Sequence, residues 1–269
     1  MIGTPVSPEA AVLLVPLVAA GLLALLPGYR LSARINVVAS ALSLLAAVQL
    51  LFHRPEAGPL LFVDDLNVVF ILLNTLVGFT TSVFSASYIG HELEVGRLTR
   101  GYLRFYHAMY QLMMFGMNLA LVANNIGLIW VAVELATLTT VLMVGIYRTH
   151  EALEAAWKYF ILGSVGIALA LFGTILVYLA AHPVIGEGAD AMVWTILIGR
   201  AAEFDPALLN LAFVFLLLGY GTKVGLAPLH AWLPDAHAEG PTPISAVLSG
   251  LLLNVALYAL LRFKMLLAA

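Results

Sequence analysis

Two charged residues lie inside long apolar stretches of the sequence. Glu134 is in the middle of the run 126–147, and Lys223 is close to the end of the run 208–224. A charge at the centre of a bilayer costs at least about 2.5–3.5 kcal/mol, so such residues usually face a polar interior and mark an ion or proton path. These two residues are therefore the first candidates for proton transfer.

A lysine paired with a glutamate suits that chemistry. Loss of solvation favours a neutral lysine, whereas a nearby carboxylate favours the ammonium form. A Glu–Lys pair whose separation changes is therefore able to load and unload a proton. A buried structural ion pair is the alternative interpretation of Glu134 and Lys223.

Three further residues are candidates for extending the path. Lys158 begins the sixth apolar run, while His230 and His237 follow Lys223, and a histidine titrates near neutrality. The alternatives are that Lys158 reaches the headgroups with its flexible chain and that the histidines only pack. His91 and His107 lie beside a basic loop and are expected at the membrane interface.

The segment around Lys223 is poorly suited to a continuous helix. Residues 219–228 contain three glycines and a proline, which weaken or break a helix. The chain stays apolar up to residue 233, which predicts a second half-helix before Pro234. A charged residue at the break of a discontinuous helix is how transporter folds build ion sites within the membrane.

The composition excludes a water-soluble globule. The 269 residues are 62% hydrophobic and 10% charged, with a mean hydropathy of +1.02, against about 45–50% apolar and 25% charged in soluble domains. Without cysteine, disulfides, thiolate metal ligands and iron–sulfur clusters are excluded. We expect no cofactor, no metal and no nucleic-acid partner.

Continuous apolar runs of this length predict membrane-spanning helices. The predicted fold is an all-α polytopic membrane protein with about eight transmembrane helices, of which the seventh is discontinuous. The runs are 10–26, 35–52, 66–89, 105–123, 126–147, 159–181, 208–224 and 244–263. The shorter apolar stretch 193–204 is expected along the interface or inside the bundle.

Arginines concentrate in the odd-numbered loops. The positive-inside rule then places those loops in the cytoplasm and the N-terminus outside. Arg262 and Lys264 disagree, because eight spans would leave them outside as well.

Three motifs resemble the antiporter-like membrane subunits of respiratory complex I, which are related to cation/proton antiporter subunits and membrane-bound hydrogenases. They are WVAVE at 130–134, EAAWKYFILG at 154–163 and KVGLAPLHAWLPDAHAEGPTPISAVLSGLLLN at 223–254. The residues of these motifs are most similar to those of the component F branch of hydrogenase-4-type complexes. The resemblance is specific from about residue 104 to 262, which suggests three initial helices in 1–104 and an antiporter-like five-helix repeat in 105–269.

The resemblance implies a proton-translocating subunit of a membrane-bound oxidoreductase, either hydrogenase or NADH dehydrogenase-like. In that family Glu134 and Lys223 fall on the central pair, while Lys158 and His230 fall on relay positions. Electron transfer would belong to other membrane and peripheral subunits, so no catalytic redox centre is expected here. The expected location is the inner membrane, in contact with lipid.

The sequence departs from the family pattern in two ways. Asn254 stands where many members carry a lysine in the eighth span. Members typically have about fourteen spans in two inverted repeats, and this chain matches the first repeat, as a fragment, a split product or a short subunit. A cation/proton antiporter subunit and a non-pumping structural subunit therefore stay open as alternatives.

Overall fold

A computed structural model describes residues 7–26 and 28–269 and shows an all-helical architecture in that part of the chain. Its only extended pairings are two isolated bridges. The α-helices of the described residues are α1 (Pro8–Leu25), α2 (Tyr29–Phe52), α3 (Asp65–Glu94), α4 (Arg100–Val122), α5 (Ile126–Val144), α6 (His150–Ile185), α7 (Trp194–Arg200), α8 (Pro206–Val224), α9 (Leu233–Glu239), α10 (Thr242–Val247) and α11 (Leu253–Ala268).

Seven candidate spans are found in the described residues, each a helix long and apolar enough to cross a membrane. They are α1, α2, α3, α5 with the turn after it, α6, α8, and the stretch Thr242–Ala268 that contains α10 and α11. The fourth predicted run forms α4, which is long enough but more polar. Because α4 packs against α1, α2, α3, α5 and α11, it is enclosed by protein and does not need an apolar surface.

Helix α6 is longer than its apolar run predicted. It spans His150–Ile185, 36 residues, or about 54 Å at 1.5 Å per residue. The Thr149 hydroxyl caps its start by accepting a hydrogen bond from the Ala152 amide at 3.1 Å. A Glu154–Lys158 ion pair one turn apart further supports this polar first segment.

One end of the bundle is closed by backbone contacts between distant segments. Isolated bridges join Leu61 to Ala123 and Asn125 to Val193. The stretch 193–204 forms α7 and a short 3₁₀ turn, with Trp194 and Leu197 buried. This stretch was expected along the interface or inside the bundle, and these side chains lie inside.

Small residues bring α6 and α8 into close contact. A Cβ atom on Gly219 would lie 2.5 Å from the Ala170 nitrogen and 2.6 Å from the Gly166 oxygen, so only glycine fits there. Gly166 and Gly173 meet α8 in the same way, with Cβ positions 2.9 Å and 2.7 Å from its side chains. This packing fixes the height of the last turn of α8, which carries Lys223.

Candidate functional site

The predicted break in the seventh span is present directly after Lys223. Helix α8 ends at Val224, and Gly225 follows in the left-handed region with a φ of 77°, which glycine adopts without steric cost. A run of turns leads to α9 at Leu233. The second helix therefore begins at Leu233 instead of ending before Pro234, because proline is accommodated in the first turn of a helix.

Lys223 and Glu134 form the centre of the site. The Lys223 side chain is 0% exposed, and its Nζ lies 3.8 Å from Glu134 Oε2 on α5. Among the described residues, neither atom has a hydrogen-bond partner. A charged pair at this separation leaves donor and acceptor positions free for water between the two groups.

Aromatic residues form one wall beside Lys223. The ring centroid of Tyr159 lies 5.8 Å from Lys223 Nζ, and its hydroxyl pairs with Thr140 Oγ1 at 2.7 Å. Trp232 stacks on Tyr159 with centroids 4.3 Å apart and donates from Nε1 to the Thr222 carbonyl at 2.8 Å. The turn after α8 is thereby fastened to the lysine's own helix.

Glycine at position 163 leaves room for the ammonium group. A Cβ atom there would lie 2.8 Å from Lys223 Nζ. Since Nζ is the far end of a flexible chain, a side chain at 163 would displace it. Gly163 thus contributes to the position of the charge without contacting it through polar atoms.

Lys158 does not share this enclosure. It is exposed, and its Nζ lies 2.8 Å from both Glu154 Oε1 and Asp235 Oδ2. Along α6 it is five residues, or about 7.5 Å, from Gly163. Tyr159, next in sequence, faces Lys223 instead.

The two candidate histidines lie on the segment after the break. His230 is exposed in the turn, and His237 Nδ1 pairs with Ser245 Oγ at 2.5 Å. The structure therefore brings Glu134 and Lys223 together, and places Lys158, His230 and His237 around the mouth of the broken helix without direct contact with the pair.

Asn254 lies just after an unusual segment of the eighth span. Residues Leu248–Leu252 form a π-helix between α10 and α11, and such segments are frequent at functional sites. Asn254 Nδ2 donates to the Gly250 carbonyl at 2.7 Å. The position that the resemblance assigns to a lysine in many family members is thus occupied here by a neutral side chain bonded to its own helix.

Sequence reasoning missed a second ion pair at the opposite end of the bundle. Arg262 is 1% exposed and makes two hydrogen bonds to Asp64, at 2.6 Å and 2.8 Å. Its guanidinium lies 4.4–4.9 Å from the ring centroids of Phe62, Trp194 and Tyr258. Burial alone raises the pKa of Asp64, but the hydrogen bonds and charge of Arg262 outweigh it and leave that pKa below its usual value.

The ion pair with Asp64 explains why Arg262 does not follow the positive-inside rule. Its charge is neutralised inside the protein, so it does not act as a free loop charge. No local signal marks this pair, because its members are 198 residues apart.

The two ion pairs differ in whether their members are hydrogen-bonded to each other. Asp64 and Arg262 are locked by paired hydrogen bonds, whereas Glu134 and Lys223 are close but not bonded. Among the described residues, no group of three or more His, Asp or Glu side chains could hold a metal ion. The fold and site define a helical integral membrane protein with a buried, loosely paired lysine at a broken helix.

Residues 123–269 match the family described as NADH:quinone oxidoreductase/Mrp antiporter, TM, and the chain belongs to that family. It is 63% identical over 260 residues to the hydrogenase-4 component F homolog of Methylacidiphilum infernorum, covering 97% of this chain and 55% of that protein. It is 34% identical over 216 residues to NADH-quinone oxidoreductase subunit N 2 of Rhizobium meliloti, covering 78% of this chain and 42% of that protein.

A solved structure shows the same fold. A chain of respiratory complex I from Thermus thermophilus superposes with a TM-score of 0.75 at 28% identity, covering 94% of this chain and 52% of that chain. The chain thus spans about half the length of the curated relatives and the structure that it matches.

Proposed function

We propose that this chain is a proton-translocating, antiporter-like subunit of a membrane-bound oxidoreductase complex of the hydrogenase or NADH dehydrogenase-like type. The observation that carries the proposal is the fully buried Lys223, 3.8 Å from Glu134 and without a hydrogen-bond partner among the described residues. A buried ammonium group is costly unless its charge is paired. A loose pair at a helix break therefore suits a proton that is held and then released.

In the proposed mechanism, Lys223 holds the transferable proton and Glu134 sets how strongly it is held. A closer carboxylate favours the ammonium form, and a greater separation favours release. The break after Gly225 supplies a place where that separation can change. Lys158, His230 and His237 exchange the proton with the aqueous side, since they surround the mouth of the broken helix.

Partner subunits carry the redox reaction in this proposal. The hydrogenase-4 component F homolog and the NADH-quinone oxidoreductase subunit are components of such assemblies by their names. We also propose that residues 105–269 form an antiporter-like five-helix repeat behind three initial helices, in the inner membrane, with the N-terminus outside.

The test uses the intact complex reconstituted in vesicles. Lys223→Ala is expected to reduce proton uptake per electron transferred by at least about tenfold, since proton transfer by a positioned side chain contributes 10²–10⁴-fold. Glu134→Gln is expected to reduce it as well. Normal pumping by Lys223→Ala would overturn the proposal.

Matched controls come from the same chain. Lys264→Ala removes an exposed lysine that lies over the Phe213 ring, and Glu151→Gln removes an exposed carboxylate. Both control complexes are expected to pump as the unaltered complex does. Co-purification of hydrogenase or dehydrogenase subunits supports the redox assignment, and their absence favours a cation/proton antiporter.

Asn254 favours a second candidate function, that of a structural subunit. A neutral side chain bonded to the Gly250 carbonyl holds no proton, which suits a structural subunit that no longer pumps. Unchanged pumping stoichiometry in both Glu134→Gln and Lys223→Ala complexes would support that function instead.

A further inference from the structure

Helices α2 and α4 are in contact, and each carries buried polar side chains. On α2 these residues recur every three or four positions, which places them on one face of the helix. All of them are buried, and they are Ser32, Asn36, Ser40 and Ser43 on α2 and His107, Gln111 and Asn118 on α4. His107 is 0% exposed, so its side chain packs inside the protein.

Direct contacts fix how the two helices align. Gln111 Nε2 donates to Asn36 Oδ1 at 2.8 Å and to Ser40 Oγ at 3.0 Å. The helices run in the same direction, because each is antiparallel to α3: Tyr29 on α2 bonds to the Ala86 carbonyl, and Asn67 bonds to the Leu121 carbonyl. His107, one turn before Gln111, therefore lies level with Ser32, one turn before Asn36.

Many polar atoms of this row have no partner among the described residues. The unpartnered atoms are Ser32 Oγ, Asn36 Nδ2, Ser43 Oγ, Gln111 Oε1 and both ring nitrogens of His107. Each buried polar group left unsatisfied costs about 1–3 kcal/mol. Buried water, which makes about three hydrogen bonds to such groups, removes that cost.

The row continues towards the eighth span. Asn118 Oδ1 accepts from Asn74 Nδ2 at 2.7 Å, and Asn118 Nδ2 donates to the Val12 carbonyl at 3.1 Å. Asn74 lies beside Gly250 and Asn254 at the π-helix, across a crevice that is too narrow for a water molecule. The polar side chains thus extend from the first turn of α2 to Asn118 on α4 and Asn74 on α3.

We propose that a file of ordered water molecules occupies the row between α2 and α4 and conducts protons between the Ser32 end and the Asn118–Asn74 pair, with His107 as its titratable member. This inference rests on the proposed function. One His107 nitrogen forms an N–H bond with a proton from the water on its one side, and the other nitrogen gives its proton to the next water. Serine, asparagine and glutamine side chains orient the water and carry no charge.

The first test is a map of the intact complex at a resolution that shows ordered water. We expect water within about 3.2 Å of the His107 nitrogens, Ser32 Oγ and Gln111 Oε1. A dry row at such resolution would overturn the proposal. This measurement needs no substitution, so it does not depend on the folding of a variant.

The second test is functional and uses His107→Gln. Glutamine keeps hydrogen-bonding groups but cannot carry the proton, so a structural role would survive this change. We expect proton uptake per electron to fall by at least about tenfold. Thr75→Val is the control, since Thr75 is equally buried and its hydroxyl is satisfied by the Ile71 carbonyl at 2.8 Å.

The outcomes separate this inference from the proposed function. Normal pumping by His107→Gln, with Lys223→Ala inactive, overturns the water file and leaves the proposed function intact. Normal pumping by both overturns both. Loss of pumping in His107→Gln with water visible in the row supports the file.

Discussion

Replacing Asp64 by asparagine removes a single charge from the buried ion pair with Arg262 while leaving the local helix start intact. Asp64 caps α3 by accepting from the Asn67 amide at 2.9 Å, and asparagine is as good an N-cap as aspartate. The change therefore isolates the charge. It leaves the Arg262 guanidinium buried without its anion.

The expected cost follows from the burial of the two partners. Breaking a fully buried pair by removing one member costs about 3–5 kcal/mol. The Asp64 side chain is 35% exposed, and the three aromatic rings still contact Arg262, so we expect about 2–3 kcal/mol after the discount for solvent screening. Arg262→Met is expected to cost less, because the partly exposed Asp64 can then hydrate.

The free energy of unfolding in detergent, measured by denaturant titration, checks this value. Asp65→Asn is the matched control, since Asp65 is the next residue, its side chain is 91% exposed and its partner Arg54 is exposed as well. Its cost should stay within about 0.5 kcal/mol. The Asp64→Asn/Arg262→Met double variant should show a coupling of at least about 1 kcal/mol. Equal costs at positions 64 and 65, with no coupling, would refute the reasoning.

Three further predictions follow from the same structure. Because Arg262 holds the pKa of Asp64 below its usual value, the pair's stabilisation should be complete above about pH 4 and be lost as pH falls further; acid unfolding curves of the unaltered chain should therefore show a stability loss that Asp64→Asn lacks. Gly219→Ala should cost roughly 1–3 kcal/mol of unfolding free energy by forcing α6 from α8, and lower proton uptake, whereas Gly199→Ala, which meets no atom within 4 Å, should change neither. Since the chain has no cysteine, single cysteines at Thr149 and Glu187 should react with an impermeant thiol reagent from opposite sides of the membrane, the first from the cytoplasm; labelling of both from one side would contradict the proposed topology.

The helices were largely predictable because apolar runs long enough to cross a bilayer have few other uses in this composition. Their ends were less predictable. The polar segment before residue 159 lies outside the apolar run, yet it continues α6 through its Thr149 cap and the Glu154–Lys158 pair. Hydropathy therefore indicates which residues contact lipid, but it does not indicate where a helix begins or ends.

The central pair was predictable from the cost of a charge in an apolar run. Glu134 and Lys223 were the two clear cases, and they lie 3.8 Å apart. The break after Lys223 was visible in its glycines, but the direction of the following chain depends on the Trp232–Tyr159 stack. That contact joins separate helices, so no local pattern encodes it.

Residues whose roles depend on distant partners escaped prediction. Arg262 was interpreted as a loop charge. Its ion pair with Asp64 forms only when α11 packs beside the start of α3. His107 was expected at the membrane interface because of its basic neighbours, and its complete burial within the protein was not predicted. In both cases tertiary packing decides the environment.

The Asp64–Arg262 pair also has a consequence for the order of assembly during synthesis. The two residues are 198 positions apart, so at about 5–20 residues per second Asp64 waits about 10–40 s for its partner to leave the ribosome. Until then the aromatic pocket of Phe62 and Trp194 has no cation to enclose. Arrival of α11 therefore completes this ion pair, and a chain that stalls before Arg262 retains an unneutralised carboxylate at Asp64.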